Sequence, residues 1–126
     1  MSKRALQPST LPKPANYSLG VEATGRMVFV SGLVPVDSAG KTVAVGDIRG
    51  QVRQVFANIE SVLAEAGANR ENIVKITVYL TDLKNFAGMS EIRTEFFKAP
   101  FPASAAVEAK LINPEWLVEI DAIAVI

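Results

Sequence analysis

The final strand-like segment, residues 117–125, is apolar on both of its faces. Side chains alternate across a strand, which places Val118, Ile120, Ala122 and Ala124 on one face and Leu117, Ile123 and Val125 on the other. Helices that pack on one face of a sheet leave its second face uncovered. The sequence therefore predicts a sheet whose second face is covered by another subunit.

The rest of the pattern predicts strands and helices in a single domain, residues 1–126, because a chain of this length holds one core only. After an extended arm over residues 1–16, strands are predicted at 17–21, 27–30, 73–80, 103–111 and 117–125, and helices at 47–66 and 83–97. The short turn at 23–26 predicts that the first two strands form a hairpin. The predicted order is ββαβαββ, an α+β arrangement.

The sequence contains neither histidine nor cysteine, and this removes several classes of chemistry. Disulfides, thiolate nucleophiles, Ser-His-Asp triads and the usual zinc sites all need one of these residues. The net charge is zero and the basic residues are scattered, so the stripe of positive charge that binds nucleic acid is missing. No apolar run resembles a signal peptide or a membrane span. We therefore expect a cytoplasmic protein that binds a small molecule, with no metal, nucleic acid or membrane as partner.

Two carboxylates interrupt the last strand. Glu119 and Asp121 are two residues apart, so both project from the face that also carries Leu117 and Ile123. Acids held among apolar neighbours suit proton transfer in a site without histidine. The alternative is that both are solvated or salt-bridged charges at the rim of the sheet.

Several local patterns occur in the order in which one known family has them. They are N-Y-S-L-G at 16–20, V-S-G-L-V-P at 30–35, V-K-I-T-V-Y-L at 74–80, F-P-A-S-A-A-V-E at 101–108 and E-I-D-A-I-A-V at 119–125. Over nearly its whole length the chain resembles the RidA (YjgF) family of enamine/imine deaminases.

The resemblance implies a chorismate-mutase-like subunit, in which two helices pack on one face of a mixed β-sheet. It also implies a homotrimer with clefts between neighbouring subunits. In that family the clefts hydrolyse reactive imines and enamines to a ketoacid and ammonia, without a cofactor. Such chemistry fits a site that lacks histidine, since an imine carbon is already electrophilic and needs only a positioned water and a proton-transfer group.

Carried over by position, the resemblance places Tyr17, Ser31 and Gly32 in the cleft as substrate-binding residues. Asp121 occupies the place of the acid that positions the water, and Glu119 is the neighbouring acid. Both acids are therefore candidate catalytic residues.

The chain departs from the family at Ser104 and Ser90, which stand where the family has an arginine and an asparagine. The family arginine clamps a substrate carboxylate with two hydrogen bonds, and a neutral hydroxyl cannot do this with comparable strength. We therefore expect weak or absent action on 2-iminoacids. Arg93 lies one helical turn beyond Ser90 and is within reach of the same cleft, or it is an exposed helix cation beside Glu91 and Glu95.

The sequence leaves two functions open. The first is hydrolytic deamination of a reactive imine or enamine metabolite other than the usual 2-iminoacids. The alternative is a catalytically silent trimeric protein that binds or senses a small molecule in the same cleft. A nuclease role ranks last, because the chain lacks histidine and a basic surface.

Overall fold

The computed structural model describes residues 2–126. Its strands and helices are β1 (Ser2–Leu6), β2 (Gly20–Thr24), β3 (Met27–Leu33), α1 (Ile48–Glu65), β4 (Ile73–Leu80), α2 (Phe86–Phe96), β5 (Ala103–Glu108) and β6 (Val118–Val125). Short 3-10 turns precede β4 and α2, at Arg70–Asn72 and Leu83–Asn85. Within this part of the chain, neither helix is long and apolar enough to cross a membrane.

The main sheet has four strands in the order β3-β6-β4-β5. Strand β6 is antiparallel to both of its neighbours, whereas β4 and β5 run parallel. Both helices pack on one face of this mixed sheet, and the structure confirms the predicted α+β, chorismate-mutase-like architecture.

The predicted hairpin between residues 17–21 and 27–30 is wrong. The arm contains a strand of its own, β1, which pairs with β2 in a separate two-stranded sheet, while β3 pairs with β6. At Gly25 the backbone has φ of 140°, and the next residue, Arg26, exchanges two backbone hydrogen bonds with Ile126. The chain thus leaves β2 at Gly25 and enters a different sheet. The three prolines of the arm, at positions 8, 12 and 14, all follow β1, so they do not interrupt its ladder.

The core lies between the helices and the inner face of the sheet. Helix α1 begins where the side chain of Asp47 accepts a hydrogen bond from the Gly50 amide, and it stops before Gly67, whose φ is 74°. Gln51 is fully buried in α1; its side chain donates to the carbonyl of Glu115 and accepts from the amide of Leu117. This helix therefore anchors the loop that leads into β6.

The outer face of the sheet is open in the single chain. Met27 and Phe29 on β3 are 57% and 68% exposed, and Val107 on β5 is 42% exposed. The inner face of β6 is buried throughout, as the alternation of its apolar residues predicted. The two helices therefore leave an apolar face without cover, which is the condition expected of a sheet that binds another subunit.

Candidate functional site

The structure brings four of the candidate residues together between α2, β5 and the arm. Arg93 on α2 is 4% exposed, and its guanidinium points toward β5. Its Nη1 donates to Oγ of Ser104 at 3.1 Å, and its Nη2 donates to Oγ of Ser90 at 3.5 Å. The ring of Tyr17 lies 5.8 Å from the guanidinium carbon. We call Tyr17, Ser90, Arg93 and Ser104, together with Asn16, the arginine cluster.

Asn16 is a member of this cluster that the sequence analysis did not single out. Its Oδ1 accepts from Nη2 of Arg93 at 3.2 Å, and its Nδ2 donates to Ser90 and to Thr94, both at 2.9 Å. Its position beside Tyr17 in a family pattern was the only signal in the sequence. Asn16 ties the end of the arm to α2.

The arginine cluster contains no carboxylate, and Arg93 forms no salt bridge within residues 2–126. The interpretation of Arg93 as an exposed helix cation is wrong, because the nearby acids Glu91 and Glu95 pair with Arg49 and Arg53 instead. Nε of Arg93 is buried and has no hydrogen-bond partner in the described part of the chain. Desolvation lowers the pKa of Arg93 below its ordinary value. The guanidinium is thus a buried cation whose neighbours are all neutral.

A second aromatic ring flanks this guanidinium. The centroid of Phe86, the first residue of α2, lies 5.9 Å from the guanidinium carbon of Arg93. Phe86 is 42% exposed and Tyr17 is 37% exposed, so both rings present surface to solvent. Each ring is within the range of a cation–π contact with Arg93.

The other four candidates form a separate group on the outer face of the sheet, which we call the acid cluster: Ser31, Gly32, Glu119 and Asp121. Strand β3 pairs with β6 at Val30–Ala122 and again at Leu33–Ile120. Ser31 and Gly32 therefore oppose the single residue Asp121 in a β-bulge. The bulge turns a short stretch of β3 backbone toward the carboxylates of β6.

Glu119 lies directly against Gly32. A Cβ at position 32 would overlap Oε2 of Glu119 and would lie 2.8 Å from its Cδ. Only glycine allows the carboxylate to approach the backbone this closely. Glu119 forms no salt bridge in the described part of the chain, so the interpretation as a salt-bridged rim charge does not hold for it.

Asp121 has a different environment. Its Oδ2 accepts a hydrogen bond of 3.1 Å from the hydroxyl of Tyr79 on β4. This hydrogen bond, together with the negative charges of Asp121 and Glu119, raises the pKa of Tyr79 above its ordinary value. Of the two acids, Glu119 therefore lies beside the Ser31-Gly32 backbone, and Asp121 is held by Tyr79.

One chain does not bring the two clusters together. Ser104 pairs with Ile76, which is fully buried under the helices, whereas Glu119 pairs with Tyr79 on the outer face. Strand β4 separates β6 from β5, so the two clusters are about 10 Å apart across the sheet and about 10 Å along it. A small molecule therefore cannot contact both clusters of the same chain.

Acidic residues do not gather into a metal site in this structure. Within residues 2–126, no group of three or more potential metal ligands lies close enough together to hold an ion. The functional groups available are the guanidinium of Arg93, the carboxylates of Glu119 and Asp121, and hydroxyls.

Comparison with known proteins places this geometry in a family. The family model described as Endoribonuclease L-PSP matches residues 8–126. A RutC family protein of Pyrococcus abyssi is 39% identical over 125 residues, which cover 98% of each chain. The solved structure of the Rid family protein YyfB from Yersinia pestis matches with a TM-score of 0.87 at 31% identity, over 100% of both chains. The structure of Escherichia coli TdcF with bound serine matches with a TM-score of 0.73 at 31% identity, over 98% of each chain.

These matches agree with the order of local patterns in the sequence and with the observed sheet topology. They extend over nearly the whole chain rather than over one motif. The chain therefore belongs to the RidA/YjgF family, to which the RutC and Rid proteins also belong.

Proposed function

We propose that the protein hydrolyses the C=N bond of a small imine, or of the enamine that isomerises to it, in a cleft formed by two copies of the chain. The observation that carries this proposal is the carboxylate of Glu119, which lies against the Gly32 backbone and has no cationic partner among residues 2–126. Such a carboxylate is free to bind and activate a water molecule.

The reaction needs only groups that this chain supplies. Glu119 accepts a proton from water as the water oxygen bonds to the imine carbon, and it passes this proton to the imine nitrogen. Glu119 then takes the hydroxyl proton of the resulting carbinolamine and delivers it to the amino group as the C–N bond breaks, so ammonia leaves and the carboxylate is regenerated. One imine and one water thus give one carbonyl compound and one ammonia.

Glu119 suits the water-activating role better than Asp121, to which the family resemblance assigned that role. The carboxylate of Asp121 accepts the hydrogen bond of Tyr79, and this interaction fixes one of its oxygens on the far side from the bulge. Glu119 instead faces the Ser31-Gly32 segment, where backbone groups and the Ser31 hydroxyl are exposed to orient a substrate. Asp121 then acts on the site through charge.

Two observations support a cleft between subunits. The outer sheet face exposes Met27, Phe29 and Val107 around the acid cluster, an apolar surface of the kind that subunits cover. The arginine cluster and the acid cluster lie on opposite faces of one chain, so only a neighbouring copy can complete the site. Proteins of this family are typically homotrimers, and we propose the same assembly for this chain.

A second function is favoured by the small hydroxyls at positions 90 and 104. A trimer that retained the cleft but lost turnover would bind a small ligand and regulate another process. The relative TdcF was crystallised with serine, which is a small carboxylate with an amino group, and both functions are compatible with such a ligand. The family description names an endoribonuclease, but the zero net charge of this chain does not favour an RNA substrate.

Turnover distinguishes the two functions. The purified protein is mixed with a pyridoxal-phosphate enzyme that releases 2-aminoacrylate or 2-iminobutyrate, and semicarbazide competes for the imine. Faster formation of ketoacid in the presence of the protein supports hydrolysis. We expect Glu119→Gln to lower this rate about 100-fold, and more than Asp121→Asn does.

The matched control is Glu65→Gln, which removes an exposed charge on α1 far from both clusters. Its rate should equal that of the unmodified protein. Tight binding of the imine or ketoacid without any acceleration would instead support the regulatory function. A rate that is unchanged in Glu119→Gln would contradict the assigned role of Glu119.

A further inference from the structure

We propose that Arg93 on α2 supplies the carboxylate-binding cation of this site, and that Tyr17 and Phe86 select carboxylates with a planar apolar substituent. The substrate class would then be imino acids with an unsaturated or aromatic side chain. This substrate class rests on the proposed hydrolysis, whereas binding of the carboxylate by Arg93 does not.

The arginine cluster carries a positive charge that no acidic side chain in it balances. A guanidinium that is 4% exposed has lost its hydration, and its partners Ser104, Asn16 and Ser90 are all neutral. Burying a charge without an opposite charge is costly. A ligand carboxylate would supply the missing negative charge through charge-assisted hydrogen bonds.

Some N–H donors of Arg93 form no hydrogen bond within the described residues. The Arg93 guanidinium carries more N–H groups than its three hydrogen bonds use, and its buried Nε has no partner in the described chain. An unpaired buried donor is a place where a ligand acceptor gains a full hydrogen bond. The half-buried side chain of Asn16 accepts from Nη2 on the arm side, so a ligand that displaces the Asn16 amide would gain the Nη2 donor as well.

Two of the residues that contact the Arg93 guanidinium, Ser90 and Ser104, have small side chains. Two positions at which this chain departs from the family, 90 and 104, carry serine, and both serine hydroxyls accept hydrogen bonds from Arg93. A longer side chain at either position would fill the space that the Arg93 head occupies. The two serines therefore accommodate a cation that comes from the helix instead of from the strand. Weak or absent action on 2-iminoacids was expected because Ser104 cannot clamp a carboxylate. If Arg93 binds the carboxylate instead, that expectation no longer follows.

Two aromatic rings beside the guanidinium would set the preference for one carboxylate ligand over another. The rings of Tyr17 and Phe86 lie 5.8 and 5.9 Å from the guanidinium carbon, and each exposes more than a third of its surface. A ligand whose carboxylate binds Arg93 would therefore lie near these two rings. A planar apolar group on that ligand would stack on them and bury apolar area, which a short polar group cannot do.

Titration calorimetry with unreactive probes tests the inference. Benzoate carries the charge and the ring, acetate the charge only, and benzamide the ring only. We expect the unmodified protein to bind benzoate at least tenfold more tightly than acetate or benzamide. Arg93→Met should weaken benzoate binding at least tenfold, and Phe86→Ala should reduce the preference for benzoate over acetate. Arg49→Met, which removes an exposed arginine paired with Glu91, is the matched control and should bind benzoate normally.

A second readout does not depend on whether Arg93→Met folds. In the unmodified protein labelled with ¹⁵N, the Nε–H resonance of Arg93 should shift as benzoate is added, and it should not shift with benzamide. Benzoate affinity that is unchanged in a folded Arg93→Met variant would overturn the inference. An Arg93 Nε–H resonance that does not shift when benzoate is added would overturn it as well. An unchanged preference for benzoate over acetate in Phe86→Ala would overturn the role of the rings.

The inference and the proposed hydrolysis fail in different ways. Benzoate binding through Arg93, combined with no acceleration of imine hydrolysis, would uphold the carboxylate site and refute the hydrolysis. Normal hydrolysis of imino acids by Arg93→Met would uphold the hydrolysis and refute the carboxylate site.

Discussion

Arg93 and Ser104 are joined by a hydrogen bond of 3.1 Å from Nη1 to Oγ, although one residue lies on α2 and the other on β5. The long side chain of Arg93 fills the space that the small side chain of Ser104 leaves between α2 and β5. A change at either position therefore has to be interpreted together with the other.

We predict that Ser104→Arg destabilises the protein. Two guanidinium groups would then share a buried space without a counter-ion, which should lower the free energy of unfolding by about 2–4 kcal/mol in urea denaturation. The double variant Ser104→Arg with Arg93→Ser keeps one cation and should recover at least half of this loss. A stable Ser104→Arg variant that gains turnover of 2-iminoacids would contradict this prediction, because it would show that Arg93 does not fill the space beside Ser104.

Gly32→Ala should disturb the acid cluster. The new Cβ would overlap the carboxylate of Glu119 and push it from the bulge, so imine hydrolysis should fall at least tenfold, because the position of the general base controls the rate. Gly20→Ala is the matched control, since a Cβ there meets only the side chain of Leu6 at 3.6 Å. Equal activity of the two variants would contradict the role given to the contact between Gly32 and Glu119.

The phenol of Tyr79 should titrate above its ordinary pKa, chiefly because its hydroxyl donates to Asp121 and also because negative charge surrounds it. A pKa that is higher in the folded than in the unfolded protein favours the neutral phenol, so this contribution to stability is present below the unfolded pKa of about 10 and is lost as pH rises through the folded pKa. An absorbance titration of the tyrosines measures it, with Tyr79→Phe to assign the signal. In Asp121→Ala the pKa of Tyr79 should fall toward the ordinary value, and an unchanged titration curve would contradict this explanation.

Phe29→Glu should weaken the assembly of subunits. Phe29 is 68% exposed on the open face of the sheet, and a carboxylate there would be buried against a neighbouring subunit. We expect sedimentation analysis to show a trimer for the unmodified protein and a smaller species for Phe29→Glu. Val62→Glu changes an exposed apolar residue on α1 and should leave the trimer intact. A monomer in the unmodified protein would remove the basis for a cleft between subunits.

The alternation of residues along single strands was sufficient to predict much of the fold. It placed Val118 and Ile120 on the buried face of β6 and put Glu119 and Asp121 together on the other face, as observed. The pairing of strands was harder to predict, because a short turn between two strand-like segments does not exclude other partners. In the structure β2 pairs with β1 and β3 pairs with β6. The residues of the turn between β2 and β3 do not indicate either of these partners.

The candidate site shows a similar limit. Helical spacing put Arg93 near Ser90, but it could not decide whether the guanidinium faced Glu91 and Glu95 or the sheet. That choice depends on the pairing of those acids with arginines of α1, which is a tertiary contact. The environments of the two acids on β6 also depend on residues of other strands, Gly32 and Tyr79.

The most direct test of the proposed cleft is hydrolysis of imino acids by mixed trimers of Arg93→Met and Glu119→Gln, two variants that we expect to be nearly inactive when each is assembled alone. If Arg93 of one copy and Glu119 of its neighbour form one site, co-refolding equal amounts should restore about a quarter of the unmodified activity, because about a quarter of the subunit interfaces then carry both residues. Mixed trimers that remain inactive, although both variants fold and assemble, would contradict a site shared between subunits.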